Sequence, residues 1–334
     1  MAFVVDGSEW HFDGWSADEV AASIELMLER VSTAQARREA IWIGDDLQTR
    51  PVLGEFDIWS LFSPESPLKL SPELRQELAA WLGKALRYAD ENVWPDGMEE
   101  TIIRVDCDPA IENIDVAWAH HNVRNRRAVA CLSIRRSGPH QTVSGRGVAT
   151  IYWINCEENH KNFWRSAIDV EGNNEETLQS IAPHAFPNLY FYPAVWRGLR
   201  SLVGGYYALS FEIRRYLSIL DDYGGAAFTC PPPALSPAEF ANSSDRSCPP
   251  NQLVEQRFEQ LNLSMAPEKP NVYNNSRCRQ AREVQIGPRT LYCEWHGKLE
   301  PHQNRLYLHP PIPECGDKIV IAIFHPHLPL PGDN

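Results

Sequence analysis

Apolar residues recur along this chain first at helical and then at strand spacing. Ser16 with Glu19 three positions on forms a capping box, and Val20, Ile24, Met27, Leu28 and Val31 follow at intervals that predict a helix over residues 16–40. Ser71-Pro72-Glu73 opens a second helix, to about residue 90, with Leu74, Leu78, Trp81, Leu82 and Leu86 on one stripe. Between them lies an irregular aromatic stretch that includes Phe56, Trp59 and Phe62. From about residue 101 the period shortens. Strands are expected over 101–105, 128–134 and 148–155, the last two joined by the glycine-bearing segment 137–147. Helices are expected over 157–168, 175–181, 194–202 and 211–222.

Residues 230–250 interrupt this pattern with Pro231-Pro232-Pro233, Ser243-Ser244 and Pro249-Pro250, and read as a linker or long loop. They are expected to separate a large mixed region, 1–229, with a regulatory or partner-binding role, from a small unit, 251–334. The small unit begins with a short helix over 252–260. It closes on three strand-like runs, 290–298, 304–309 and 318–325, spaced as in an antiparallel β-meander. The expected fold class is α+β.

Composition narrows the class. The chain has 334 residues, 43% of them hydrophobic and 22% charged, which predicts a folded protein with more than one core. No apolar run approaches the roughly 18 residues that span a bilayer, and the start lacks the basic and apolar regions of a secretory signal. A cytoplasmic, non-membrane protein is therefore expected, with its eight cysteines as thiols. The cysteine spacings form no zinc pattern, so neither metal nor cofactor is expected. The net charge of −13 argues against non-specific coating of nucleic acid. From Glu268 onward, however, eight Lys and Arg face seven Asp and Glu, and five of the eleven histidines lie there.

Strand parity gathers chemistry in that tail. Alternate residues share a face, so 290–298 would present Tyr292, Glu294 and His296 together, and the next strand Arg305, Tyr307 and His309. A carboxylate, imidazoles, phenols and a guanidinium on one surface match what 2′-hydroxyl attack on RNA requires: a base, an acid and a cation on the phosphate. A solvated sheet face of charged and aromatic pairs would carry the same residues.

Residues 293–330, CEWHGKLEPHQNRLYLHPPIPECGDKIVIAIFHPHLPL, resemble the C-terminal half of the RelE/YoeB/HigB-like toxins. In Asn304-Arg305-Leu306-Tyr307 the resemblance makes Arg305 the phosphate-binding residue, with Lys298 and His309 beside it on the substrate. It makes His325 or His327 the general acid, and leaves the general base open among Glu294, His296 and Glu300. The family's basic helical hairpin has no counterpart before this segment. The resemblance implies a metal-independent endoribonuclease acting as a toxin or host-defence effector on RNA or the ribosome, with a protein partner or inhibitor. Two alternatives stand beside it: a non-catalytic binding subunit on a RelE-like scaffold, and a metal-dependent enzyme built around His120, His121 and the Cys/His set.

Overall fold

The computed structural model describes residues 2–229 and 251–333. Contacts divide it into two compact units, Met1–Gly172 and Asn173–Asn334, each built of helices and strands, and the fold is α+β. Residues 230–250, expected as the linker between two parts of the chain, lie outside the described residues. No described helix is long and apolar enough to cross a membrane.

In the first unit the strands are β1 (Ala2–Val5), β2 (Ala40–Ile43), β3 (Leu86–Arg87), β4 (Ile102–Val105), β5 (Ile111–Glu112), β6 (Val129–Leu132), β7 (Gly138–Ser144) and β8 (Gly147–Ile154). The helices are α1 (Ala17–Ala36), α2 (Pro72–Leu82), α3 (Ile114–Arg124) and α4 (Glu157–Val170). One eight-stranded sheet results, in the order β3-β2-β1-β6-β8-β7-β4-β5. The first five strands run parallel, and β7, β4 and β5 join antiparallel. Phe3, Val4 and Val5 of β1 and all four residues of β6 are buried, as continuous apolar runs in parallel strands must be. After β1 the chain moves to β2 and β3 on one side, then returns to β6 on the other. The loops that leave β1 and β6 therefore diverge, and a crevice opens at their carboxyl ends.

The capping box forms as expected: the Ser16 N–H donates to Glu19 Oε2 (2.8 Å) and the Glu19 N–H to Ser16 Oγ (3.3 Å). The helix stops short of residue 40 because Ala40 already pairs with Ala2, and Arg38 turns the chain at φ 59°. The second helix likewise ends at Leu82, since Leu86 and Arg87 pair with Trp42 and Ile43. Segment 137–147 is more than a connection. Its residues 138–144 are strand β7, paired with β8 along its length.

The second unit begins with α5 (Glu175–Ala185), β9 (Leu189–Phe191), α6 (Val195–Leu199), α7 (Gly205–Ile219) and α8 (Gly225–Phe228). Past a helix at Asn251–Gln260 come β10 (Met265–Pro267), two short helices, β11 (Glu283–Ile286), β12 (Arg289–Tyr292), β13 (Trp295–Lys298), β14 (Arg305–Ile312) and β15 (Lys318–His325). The last three form the expected meander inside a five-stranded sheet, β10-β13-β14-β15-β9. Strand β9 explains why the tail is not a separate domain. Leu189, Tyr190 and Phe191 pair in parallel with Ile319, Val320 and Ile321, giving the most apolar strand a neighbour on both sides.

Candidate functional site

The expected run 290–298 is two strands in two sheets: β12 pairs with β11, and β13 with β10 and β14. Glu294 falls in the break, and Tyr292 and His296 lie in different sheets, both near Glu268. On β14 neither face is open to solvent, because Arg305, Leu306, Tyr307 and Leu308 are all buried. Tyr307 packs with Val284 and Leu291 of the β11–β12 hairpin and with Leu328. Arg305 and His325 are register partners, so they do meet. The Arg305 guanidinium, however, donates to the main-chain oxygens of Glu300 (2.7 Å), Pro301 (3.1 Å), Gln303 (2.6 Å) and Asn304 (3.3 Å). A tight β13–β14 loop turns these carbonyls inward, and the Arg fork satisfies them.

The other tail candidates are similarly engaged. His296 is mostly buried, and burial holds it down to about 4, so it is neutral at neutral pH. Burial raises Tyr307 and lowers His309, whose Nδ1 lies 2.8 Å from the Pro310 oxygen. His325 Nδ1 accepts the His327 N–H (3.1 Å), and burial lowers it too. His327 lies at the surface; Lys298 and Glu300 are half-buried, and Glu300 Oε2 accepts from Gln303 Nε2 (3.1 Å) and Asn304 Nδ2 (2.5 Å). Sequence reasoning missed the buried centre of this unit. Arg282, wholly buried, donates from Nε to Glu268 Oε1 (2.7 Å) and from Nη1 to the oxygens of Cys278 and Pro329. It lies over the Tyr307 ring at 5.5 Å.

In the first unit, acids converge on the crevice between β1 and β6. Asp6 follows β1. Its Oδ1 accepts from the Ser8 N–H and hydroxyl and from Asn113 Nδ2, and its Oδ2 from Trp153 Nε1 (3.0 Å). Asn113 caps α3 and so places Asp115 in the first turn of that helix. Asp115 Oδ2 accepts the Gly7 N–H (3.0 Å), and its Oδ1 the Tyr88 hydroxyl (2.9 Å). Only glycine fits at two positions beside it, since a Cβ on Gly7 would lie 2.9 Å from Asp115 Oδ2, and one on Gly44 would overlap Oδ1. Glu9 reaches across to the loop after β6. It accepts from the Ser133 hydroxyl (2.6 Å) and from the N–H groups of Ile134, Arg135 and Arg136.

All three carboxyls are buried: Asp6 is 2% exposed, Asp115 4% and Glu9 7%. Burial, reinforced by Asp6, pushes Asp115 up to about 7 and raises Glu9. Arg135 Nε donates to the Glu9 main-chain oxygen (3.2 Å), while Arg136 Nε is 3.9 Å from Glu9 Oε1 and its Nη2 is bound to Asp108. Asp6, Ser8, Glu9, Asp108, Asn113 and Arg136 line the crevice. Among the described residues no three His, Cys, Asp or Glu side chains are grouped to hold a metal on their own.

The upstream histidines do not form the metal centre of the alternative reading. His120 Nδ1 and Nε2 lie 2.8 and 2.9 Å from the Thr142 and Ser144 hydroxyls, and burial holds it down to about 4. His121 Nε2 donates to the Glu100 oxygen (2.8 Å) while Nδ1 accepts from Arg124. No family model, curated protein or solved structure matches the chain.

Proposed function

We propose that this protein is a cation-dependent hydrolase of phosphodiester bonds, with RNA as its substrate, and that its reaction centre is the crevice lined by Asp6 and Glu9, with Asp115 buried behind it. One observation carries the reading. Buried carboxyls from β1 and α3 converge at the carboxyl ends of parallel strands, where the strand order reverses, and open α/β sheets take their ligands at that place. Three buried acids form a hard-oxygen set that a divalent cation would neutralise; of the guanidinia at its edge, Arg50 is bound to Asp46, Arg136 to Asp108, and Arg135 donates to main-chain oxygens. Magnesium needs only one or two carboxylates, with water and substrate phosphate completing its shell. When bound, such a cation supplies a hydroxide-like nucleophile and offsets charge on the phosphate. Asp6 and Asp115 hold it in this reading, and Glu9 ties the two loops that frame the mouth. RNA enters from the resemblance of residues 293–330. The toxin or defence-effector role keeps its substrate and exchanges its site.

The test is cleavage of end-labelled single-stranded RNA with magnesium or manganese. Asp6→Asn is expected to slow it about 10² to 10³-fold per folded molecule, and a chelator to abolish it. Activity that survives both would remove the crevice from the mechanism. If wild type cleaves nothing, the binding-subunit reading takes its place. That reading is favoured by the Arg305 and Arg282 guanidinia, both committed to groups of their own unit.

A further inference from the structure

The second unit has a groove that the hydrolase reading does not use. Strand β9 is the last strand of its sheet, so its outer edge is unpaired within that sheet. Tyr190 lies on the strand and Tyr192 one residue past its end, where the Tyr192 N–H still donates to the Ile321 oxygen (2.9 Å) and continues the extended backbone. With Arg197 of α6 and Gln285, Ile286 and Gly287 of the β11–β12 hairpin, they line a groove of ≈ 340 Å³, a volume typical of ligand sites. Each tyrosine packs partly against the core of Val284, Leu291 and Val320, which braces the ring, while the groove borders the rest of it. The hairpin tip places Gly287 at φ 55°, and the absence of a side chain there leaves the groove open.

The charge is one-sided. No groove residue is acidic, and the exposed Arg197 guanidinium has neither a hydrogen-bond nor an ion-pair partner among the described residues. The neighbouring Arg289 is already bound to Glu314 (2.7 Å). A guanidinium without a partner, next to two braced phenol rings, has the complement of a phosphate beside flat bases.

Spacing selects the form of that ligand. Residues two apart on a strand are about 6.6 Å apart, roughly twice the 3.4 Å rise between stacked bases. Bases lying on Tyr190 and Tyr192 are therefore unstacked from each other, which a single strand allows and a duplex does not. From this arrangement we infer that the groove binds single-stranded nucleic acid, with a backbone phosphate on Arg197 and successive bases on Tyr190 and Tyr192.

The measurement is fluorescence anisotropy of labelled RNA and DNA oligonucleotides with the full chain. It is made in a chelator, so that cation-dependent cleavage cannot contribute. Binding of either single strand, with the duplex weaker, is the expected result. Tyr192→Ala should weaken it about 5- to 150-fold. Arg197→Ala should reduce the slope of log K against log salt by about 0.7, the mark of one lost phosphate contact on a single strand. RNA bound more tightly than DNA would assign the phenols and Gln285 to the 2′-hydroxyl, and equal binding would assign the site to bases and phosphates alone; both support the proposal. Two results overturn it: variants that bind like wild type, or an acidic peptide that binds more tightly than either oligonucleotide. Groove binding without cleavage would remove only the hydrolase reading, and cleavage with an unaltered Arg197→Ala isotherm only the groove.

Discussion

Residues 1–172 hold 28 Asp and Glu against 17 Lys and Arg, whereas residues 173–334 hold 16 against 14. Burial sharpens this difference. The second unit buries Arg282 against Glu268 and closes a loop with Arg305, so its interior guanidinia have partners. The first unit buries Asp6, Glu9 and Asp115 together, with Arg135 on the Glu9 main-chain oxygen and Arg136 3.9 Å from its carboxylate. Ionised groups taken out of water are costly unless paired. The second unit's arrangement is what structural charge requires. In the first unit, hydrogen-bond donors and a proton held by Asp115 stand in for a counter-ion, and in the proposed reading a cation completes the site. Charged residue types therefore point to a candidate site less well than the presence or absence of their partners.

The contrast breaks first if the second unit's interior pair is not structural. Arg282→Ala leaves Glu268 buried without its partner, and is expected to lower stability by about 3–5 kcal/mol in denaturant titrations. A loss under about 1 kcal/mol would show that Glu268 finds water readily, and the two units would then handle charge alike.

The pH dependence of stability tests the first unit. Asp115 is raised from its ordinary 3.8 to about 7, a difference of at most about 4 kcal/mol. Below pH 4 both the folded and the unfolded chain hold this proton. Between about 4 and 7 the folded chain keeps it while the unfolded chain has released it, so the contribution of Asp115 to stability falls as pH rises through that window. Asp115→Asn should flatten this part of the profile and be more stable than wild type at pH 8. Magnesium should stabilise wild type there and leave the variant unmoved. A variant whose profile keeps the wild-type slope would show that Asp115 is ionised throughout.

Arg305→Lys is a smaller perturbation. A lysine cannot reach four carbonyls with one fork, so about 1–3 kcal/mol of stability should be lost. Cleavage per folded molecule should be unchanged. Stability held with cleavage lost would return the phosphate to Arg305.

What the sequence disclosed follows the range of the forces involved. The Ser16–Glu19 capping box and the meander strands are set by neighbours in the chain, and their signals are local. Strand β1 has only four residues, too few to show a period, yet it lies among the parallel strands of its sheet and delivers Asp6. Its trace in the sequence is the apolar run of residues 2–5 ending in Asp6-Gly7. Asp115 was hidden behind the more conspicuous His120-His121, and its signal is the Asn113 cap that sets it in the first turn of α3. The committed state of Arg305 depends on four carbonyls turned inward by a loop, and residue types do not encode that orientation. Arg282 and Glu268 lie in a stretch that reads as irregular, and they meet only because the short helices fold back.

The smallest effect decides how much of the toxin resemblance carries chemistry. His327 is exposed, and its only hydrogen bond among the described residues runs from its main-chain N–H to His325 Nδ1, which alanine preserves. Its imidazole supports no packing, and an exposed substitution of this kind changes stability by less than about 0.5 kcal/mol. If the reaction belongs to the crevice, His327→Ala should match wild type in both Tm and RNA cleavage. If His327 is a general acid, the same variant should still match in Tm but lose about 10² to 10⁴-fold in rate, with the loss greatest where the leaving oxygen most needs a proton. Since folding is unaffected in either case, the rate alone separates the two. A large loss would place the chemistry in the second unit and leave Asp6, Glu9 and Asp115 as a structural cluster.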